Sequence, residues 1–150
     1  MPEKKCPFCN FHETMERVIL ETPVLWVALS VPNLMPGHVL VVPKAHVGAP
    51  YELEPEVCWE AMQTAMRFQQ KMIKVFSGLW GKPVGVDVCV HTRPFMPQTE
   101  KSIPGHVHFH VRPRTYNDRL YEVVQIHENV LFDEPIPAGE LEQYRALLGE

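Results

Sequence analysis

The chain lacks an excess of positive charge: 14 Lys and Arg stand against 18 Asp and Glu in 150 residues, a formal net charge of -4. Without a basic surface there is no footprint for general binding to a nucleic-acid polymer or an anionic membrane, so any phosphate must be met by a local site. An apolar core of secretory type is missing from the N-terminus, which reads Met-Pro-Glu-Lys-Lys-Cys-Pro-Phe-Cys. A bilayer-crossing run is missing too. The stretch from Thr22 to Pro43 carries no Asp, Glu, Lys or Arg, but Pro23, Pro32, Asn33, Pro36, Gly37 and His38 interrupt it. A lipid-exposed backbone would leave hydrogen bonds unmade at such breaks. There is no internal repeat and no linker-like segment. The expectation is one domain over residues 1–150, in a reducing cytoplasm, with a small ligand and neither a nucleic-acid nor a membrane partner. Among four cysteines only Cys6 and Cys9 are neighbours, and in such a compartment Cys-x-x-Cys reads as a metal half-site or a redox pair before a structural disulfide.

What is present suits a packed globular chain, with 45% hydrophobic and 21% charged residues. Fifteen prolines, about twice the ordinary frequency, divide it into short elements. Arg17–Glu21 and Val24–Leu29 read as an antiparallel pair of strands. Val39–Val42 is an apolar run bounded by prolines and suits a buried strand, opened by His38 and followed by His46. From Pro55 to Ser77 the apolar period becomes helical through Cys58, Met62, Ala65, Met66, Met72, Ile73 and Phe76, with Pro55 at the first position and Gly78 past the end. The methionines at 62, 66 and 72 read as core filler. Strand character returns at Val84–Val90 and His106–Val111, on either side of a long loop; a strand over Leu120–Ile126 and a helix over Ala138–Leu148 complete the tail. The predicted class is α+β, an antiparallel sheet with one long amphipathic helix and a C-terminal extension over about 115–150.

The chemistry concentrates in Gly105-His106-Val107-His108-Phe109-His110-Val111. On an extended strand the three imidazoles share one face, about 6 to 7 Å apart in succession, while Val107, Phe109 and Val111 enter the core. A solvated strand face is normally Lys, Glu and Thr, so three titratable rings imply a site. Two readings fit them. Two rings can bind a catalytic metal, which needs a third ligand and an open position. Alternatively one neutral imidazole attacks phosphorus while its neighbours orient it and hold the oxyanions. Cys58 and Cys89 read as small core residues.

The sequence resembles the histidine triad family, whose signature is His-φ-His-φ-His-φ-φ with φ apolar. Here it reads His106-Val107-His108-Phe109-His110-Val111-Arg112, departing at the last position, and Pro113-Arg114 follows as in the family. The upstream Pro36-Gly37-His38-Val39-Leu40-Val41-Val42-Pro43-Lys44-Ala45-His46 is similar to the family's Pro-Gly-His strand ending in Pro-Lys-x-His. The likeness covers about residues 6–114. It implies the histidine triad fold, commonly a homodimer, and a nucleotide hydrolase or transferase acting at the α-phosphate of dinucleoside polyphosphates, adenylates or phosphoramidates. It also implies that His108 attacks phosphorus to give a nucleotidyl-imidazole that water cleaves, with His110 and His38 assisting. The nucleophile must be neutral, with its other nitrogen donating to an acceptor that fixes the tautomer.

The resemblance extends to Cys6 and Cys9, because many bacterial and archaeal members bind zinc through such a pair with the Pro-Lys-x-His histidine and the first triad histidine, here His46 and His106. Four such ligands saturate a tetrahedral ion, so the zinc would be structural. His91 is an alternative fourth ligand by spacing. Where the family carries an acidic residue that holds the ribose hydroxyls, this chain has Ser30, which makes one such bond where a carboxylate accepts two. Where the family has Asn-x-Gly and Gly-Gln turns, this chain has Val90-His91-Thr92-Arg93-Pro94 and a longer loop to Gly105. There Arg93 and Lys101 supply charge, and His91, Thr92 and Ser102 supply donors for phosphate. Arg112 and Arg114 continue the triad's phase and meet either phosphate or water. These departures leave a rival reading, a zinc-stabilised nucleotide-binding protein with little or no turnover.

Overall fold

A computed structural model of the chain describes residues 6–9, 11, 16–31, 35–90, 105–115, 118, 139, 143 and 145–147. The expected strand over 120–126 and the loop over 92–104 lie outside them. So does most of the expected terminal helix, of which 143 and 145–147 are described and helical.

Among the described residues five strands form one antiparallel sheet: β1 (Val18–Glu21), β2 (Leu25–Leu29), β3 (Val39–Pro43), β4 (Gly85–Val90) and β5 (Phe109–Arg114). Their order across the sheet is β1-β2-β3-β5-β4. A short 3-10 turn (Pro50–Glu52) and the long helix α1 (Pro55–Trp80) connect β3 to β4. The β1–β2 turn is closed by Thr22, whose backbone N–H donates to the Leu25 carbonyl at 2.9 Å while its hydroxyl accepts from the Val24 and Leu25 N–H groups.

Alternation along the strands sends residues to two different cores. Leu25, Val27, Val39, Val41, Phe109 and Val111 pack against Ala61, Ala65 and Met72 of α1. Ala28, Leu40 and Val42 point the other way and are covered by Cys6, Phe8 and Phe11 from the N-terminal segment. In register Leu40 faces His110, and Val39 faces Val111. The triad histidines therefore lie on the sheet face away from the helix.

Three expectations are corrected. The helix buries Ala61, Thr64, Ala65 and Met72, a stripe rotated by about one residue from the expected one. Met62, Met66 and Ile73 are exposed instead of filling the core, because alanines let the helix approach the β-branched residues of β3 and β5 where methionine would hold it off. The helix also runs past Gly78 to Trp80 and ends on Gly81, whose φ of 63° supplies the left-handed cap. Finally, β5 begins at Phe109 rather than His106 and continues to Arg114; residues 106–108 keep the alternation but are tied to the loop after β3, with the Val107 N–H donating to the Val47 carbonyl at 2.7 Å.

Gly37 sets the start of β3. The turn Met35-Pro36-Gly37-His38 closes through the His38 N–H on the Met35 carbonyl at 3.2 Å, and Gly37 takes φ 78°, the third-position geometry of a type II turn. A Cβ there would stand 2.5 Å from the Phe76 ring, so the helix end packs directly on the backbone that delivers His38.

Candidate functional site

His38, His108 and His110 converge on the open face of β3 and β5. His38 is buried, and its Nε2 lies 2.9 Å from Nδ1 of His110. The His110 ring also meets His108, with centroids 4.7 Å apart at 63°. His38 is pushed down to about 4 by burial, then by the Arg112 charge and by His108, so it is neutral at physiological pH. The other ring nitrogen of His38, Nδ1, is buried and meets no partner among the described residues. A buried N–H left unpaired is rarer than a lone pair left unpaired. That favours His38 Nε2–H as donor to His110 Nδ1, which leaves His110 with a proton on Nε2.

The tautomer of His108 follows from a single contact. Its Nδ1 is 2.8 Å from the carbonyl oxygen of His106, and a carbonyl only accepts, so Nδ1 carries the proton and Nε2 of the neutral ring holds the lone pair. The requirement placed on a nucleophilic imidazole by its chemistry is met by the backbone two residues upstream.

A second cluster lies next to the first. Ligand atoms of Cys6, Cys9, His46 and His106 all fall within 4.8 Å of one another. Nδ1 of His106 lies 3.4 Å from Cys6 Sγ, 3.6 Å from Cys9 Sγ and 3.1 Å from Nδ1 of His46, while Cys9 Sγ to His46 Nδ1 is 3.1 Å. The edges of a Cys2His2 zinc tetrahedron, built from its usual bond lengths, are about 3.3 to 3.8 Å. Nε2 of His106 faces the Pro43 carbonyl at 2.8 Å and must donate to it, so Nδ1 presents a lone pair to the cluster. Two sulfurs and two imidazole nitrogens facing inward at these separations fit a soft divalent cation. Burial and the adjacent Cys6 raise the Cys9 thiol, and burial lowers His106; a cation would draw the thiols back toward thiolate.

Local structure explains the convergence. Cys6-Pro7-Phe8-Cys9 is a turn closed by the Cys9 N–H on the Cys6 carbonyl at 3.2 Å, with proline at its second position. The loop bearing His46 is held by Glu52, whose carboxylate accepts from Gly48 and Ala49 at 2.7 and 2.9 Å. Among the described residues it is His106 that joins the cysteines and His46, while His91, the alternative fourth ligand, lies outside them.

Ser30 is buried beside His38, and its N–H donates to the His38 carbonyl at 2.9 Å. His91, Arg93 and Ser102, with Thr92 and Lys101, lie outside the described residues. Arg112 and Arg114 share the sheet face of His110 but are engaged by carboxylates: Asp87 lies 3.4 Å from Arg112 and 2.8 Å from Arg114, and Asp118 also binds Arg114. Cys89 is half-buried rather than core, opposite His110 in register, with its Sγ 3.2 Å from Arg112; Cys58 is half-buried on the helix.

Sequence reasoning did not single out the carbonyls of Pro43 and His106, which carry no side-chain signal, or Phe8, which entered only as a spacer between cysteines. The ring of Phe8 stands 4.8 Å from that of His108 and 5.6 Å from that of His106.

Residues 12–117 match the HIT domain family. Among solved structures the chain is similar to a HIT family protein from Bacillus anthracis, at 21% identity over 96% of this chain and 94% of that one, with TM-score 0.68. It is also similar to a Zn-bound histidine triad family protein from Mycobacterium smegmatis (23% identity, 77% of this chain and 79% of that one, TM-score 0.58). A histidine triad nucleotide-binding protein from Candida albicans shares 17% identity over 84% of this chain and 94% of that one, with TM-score 0.57. At these identities the likeness is one of fold.

Proposed function

Since this chain belongs to the HIT domain family, we propose that it cleaves a nucleotide phosphoanhydride or phosphoramidate at the α-phosphate through His108. The observation that supports this reading most is the bond from His108 Nδ1 to the His106 carbonyl, which leaves Nε2 as the attacking atom. In the first step Nε2 forms a bond to phosphorus as the bond to the leaving group breaks. His110, with Nε2–H set by His38, stands next to the attacking ring and donates to a phosphoryl oxygen or to the departing atom. Water then breaks the nitrogen–phosphorus bond, releasing a nucleoside monophosphate and restoring the neutral ring. Ser30, beside His38, takes the ribose side of the nucleotide, and His91, Arg93 and Ser102 the phosphate side. Dinucleoside polyphosphates and adenylates are the substrate classes, and the setting is the cytoplasm.

Cys6, Cys9, His46 and His106 would hold a zinc ion that saturates its coordination with protein ligands, so it supplies structure and no open position for substrate. The chain would work as a homodimer through β4 and α1. Among the described residues the outer edge of β4 pairs with no strand, and beside it lies an apolar groove lined by Met62, Met66, Val88, Val90 and Phe109. Sedimentation should give twice 17.3 kDa, and Met66→Lys with Val88→Lys should return the monomer.

The test of function is incubation with a fluorogenic adenosine phosphoramidate and with a dinucleoside polyphosphate, followed by product analysis. Release of nucleoside monophosphate that requires His108 is the expected result. Saturable nucleotide binding with no product would favour the nucleotide-binding protein instead.

A further inference from the structure

The turn that carries Cys6 and Cys9, two of the four side chains that would hold zinc, also carries Phe8, and Phe8 does not face solvent. It is 3% exposed. Its ring stacks on Phe11 at 5.5 Å and 20° and also meets the rings of His106, at 73°, and His108, at 53°. We propose that Phe8 is a positioning residue for the His108 ring, holding the nucleophile on the line of attack from the metal-binding turn. This rests on the reading of His108 as nucleophile.

The geometry supports the assignment because the Phe8 ring packs directly on the His108 ring from the metal-binding turn. The bond from Nδ1 to the His106 carbonyl fixes the tautomer, and side chains packed against the ring restrict its rocking about that bond. Contacts with Phe8 at 4.8 Å and His110 at 4.7 Å limit that motion. Both the carbonyl and Phe8 belong to the framework of the candidate metal cluster: His106 is one of the four side chains that would hold the ion, and Phe8 lies between two others, Cys6 and Cys9. The cluster thus supports the nucleophile by two routes while touching no substrate. A displacement of about 1 Å at a reacting atom can cost on the order of a hundredfold in rate, so a ring that only restrains its neighbour can matter to kcat. The competing explanation is that Phe8 merely fills the second core with Phe11, Ala28, Leu40 and Val42; that role would appear in melting temperature and not in the chemical step.

The experiment compares zinc-loaded parent, Phe8→Leu and Phe8→Met, the last keeping an unbranched side chain of similar volume in case leucine weakens the fold. Metal content, Tm, kcat and KM for a nucleoside phosphoramidate are measured, together with long-range 1H–15N spectra of the His108 ring. In the parent, the His108 ring gives one set of signals with a protonated Nδ1 and shows cross-relaxation to the Phe8 ring. In the variants, metal content stays at about one ion per chain, kcat falls about 10- to 100-fold with KM within about twofold, and the His108 signals double or average. An unchanged kcat in a folded, zinc-loaded variant, a loss confined to KM, or no cross-relaxation between the two rings in the parent would each overturn the assignment. Absence of turnover by the parent would count against the proposed activity, and the spectra would still decide the positioning.

Discussion

Replacing His108 by Ala is expected to lower kcat by about 10⁴-fold, with Tm falling by no more than about 8 °C. The size follows from what is removed. A covalent nucleophile has no substitute among its neighbours: His110 is held through Nδ1 by His38, and His106 is held at Nε2 by the Pro43 carbonyl. Losses of this order accompany deletion of a nucleophile where binding and electrostatics persist. The modest stability cost follows from a half-buried side chain with one hydrogen bond to backbone, worth about 1 to 2 kcal/mol, or roughly 2 to 8 °C in a chain of this length. His110→Ala should cost less, about 10²-fold, because it removes a donor and leaves the attack possible. Steady-state assays beside thermal melts decide the matter. A His108→Ala protein within tenfold of the parent would remove His108 from the chemistry.

Stripping the metal, or replacing Cys9 by Ser, is expected to lower stability by about 3 to 6 kcal/mol, or roughly 10 to 20 °C in Tm. Structural zinc in the smallest domains contributes on the order of 10 kcal/mol or more because nothing folds without it. Here the helix-side core of Leu25, Val27, Val39, Val41, Phe109 and Val111 is independent of the cluster, so only part of that energy should appear. What depends on the metal is the N-terminal turn and the second core, where Cys6, Phe8 and Phe11 cover Ala28, Leu40 and Val42. The effect should shrink as pH falls, since thiols and imidazoles bind metal only when deprotonated. Calorimetry with and without chelator, beside an elemental zinc count, measures it. Unaltered melting after chelation, in a protein purified without zinc, would mean that the four side chains assemble unaided.

Much of this was legible in the sequence for identifiable physical reasons. Strand alternation alone places His108 and His110 on one face and Phe109 and Val111 on the other, and the proline-bounded run Val39–Val42 is buried as its composition requires. Both histidine groups assemble as the motif order suggests. What escaped depends on contacts distant in sequence. The helical stripe turned by one residue because Ala61 and Ala65 allow close packing on the sheet, a preference that hydropathy ranks below methionine. Arg112 and Arg114 were undecidable until β4 brought Asp87 opposite Arg112. The tautomers of His106 and His108 rest on backbone carbonyls, which every residue possesses and no side-chain pattern marks.

The most direct measurement is a rapid acid-free quench of the enzyme with substrate radiolabelled at the α-phosphate, followed by peptide mapping. Label should appear on His108 within the first turnover, be lost in mild acid but survive base, and be absent from His108→Ala. Product formed in a single turnover with no label on that histidine, or label found on another residue, would contradict covalent transfer through His108.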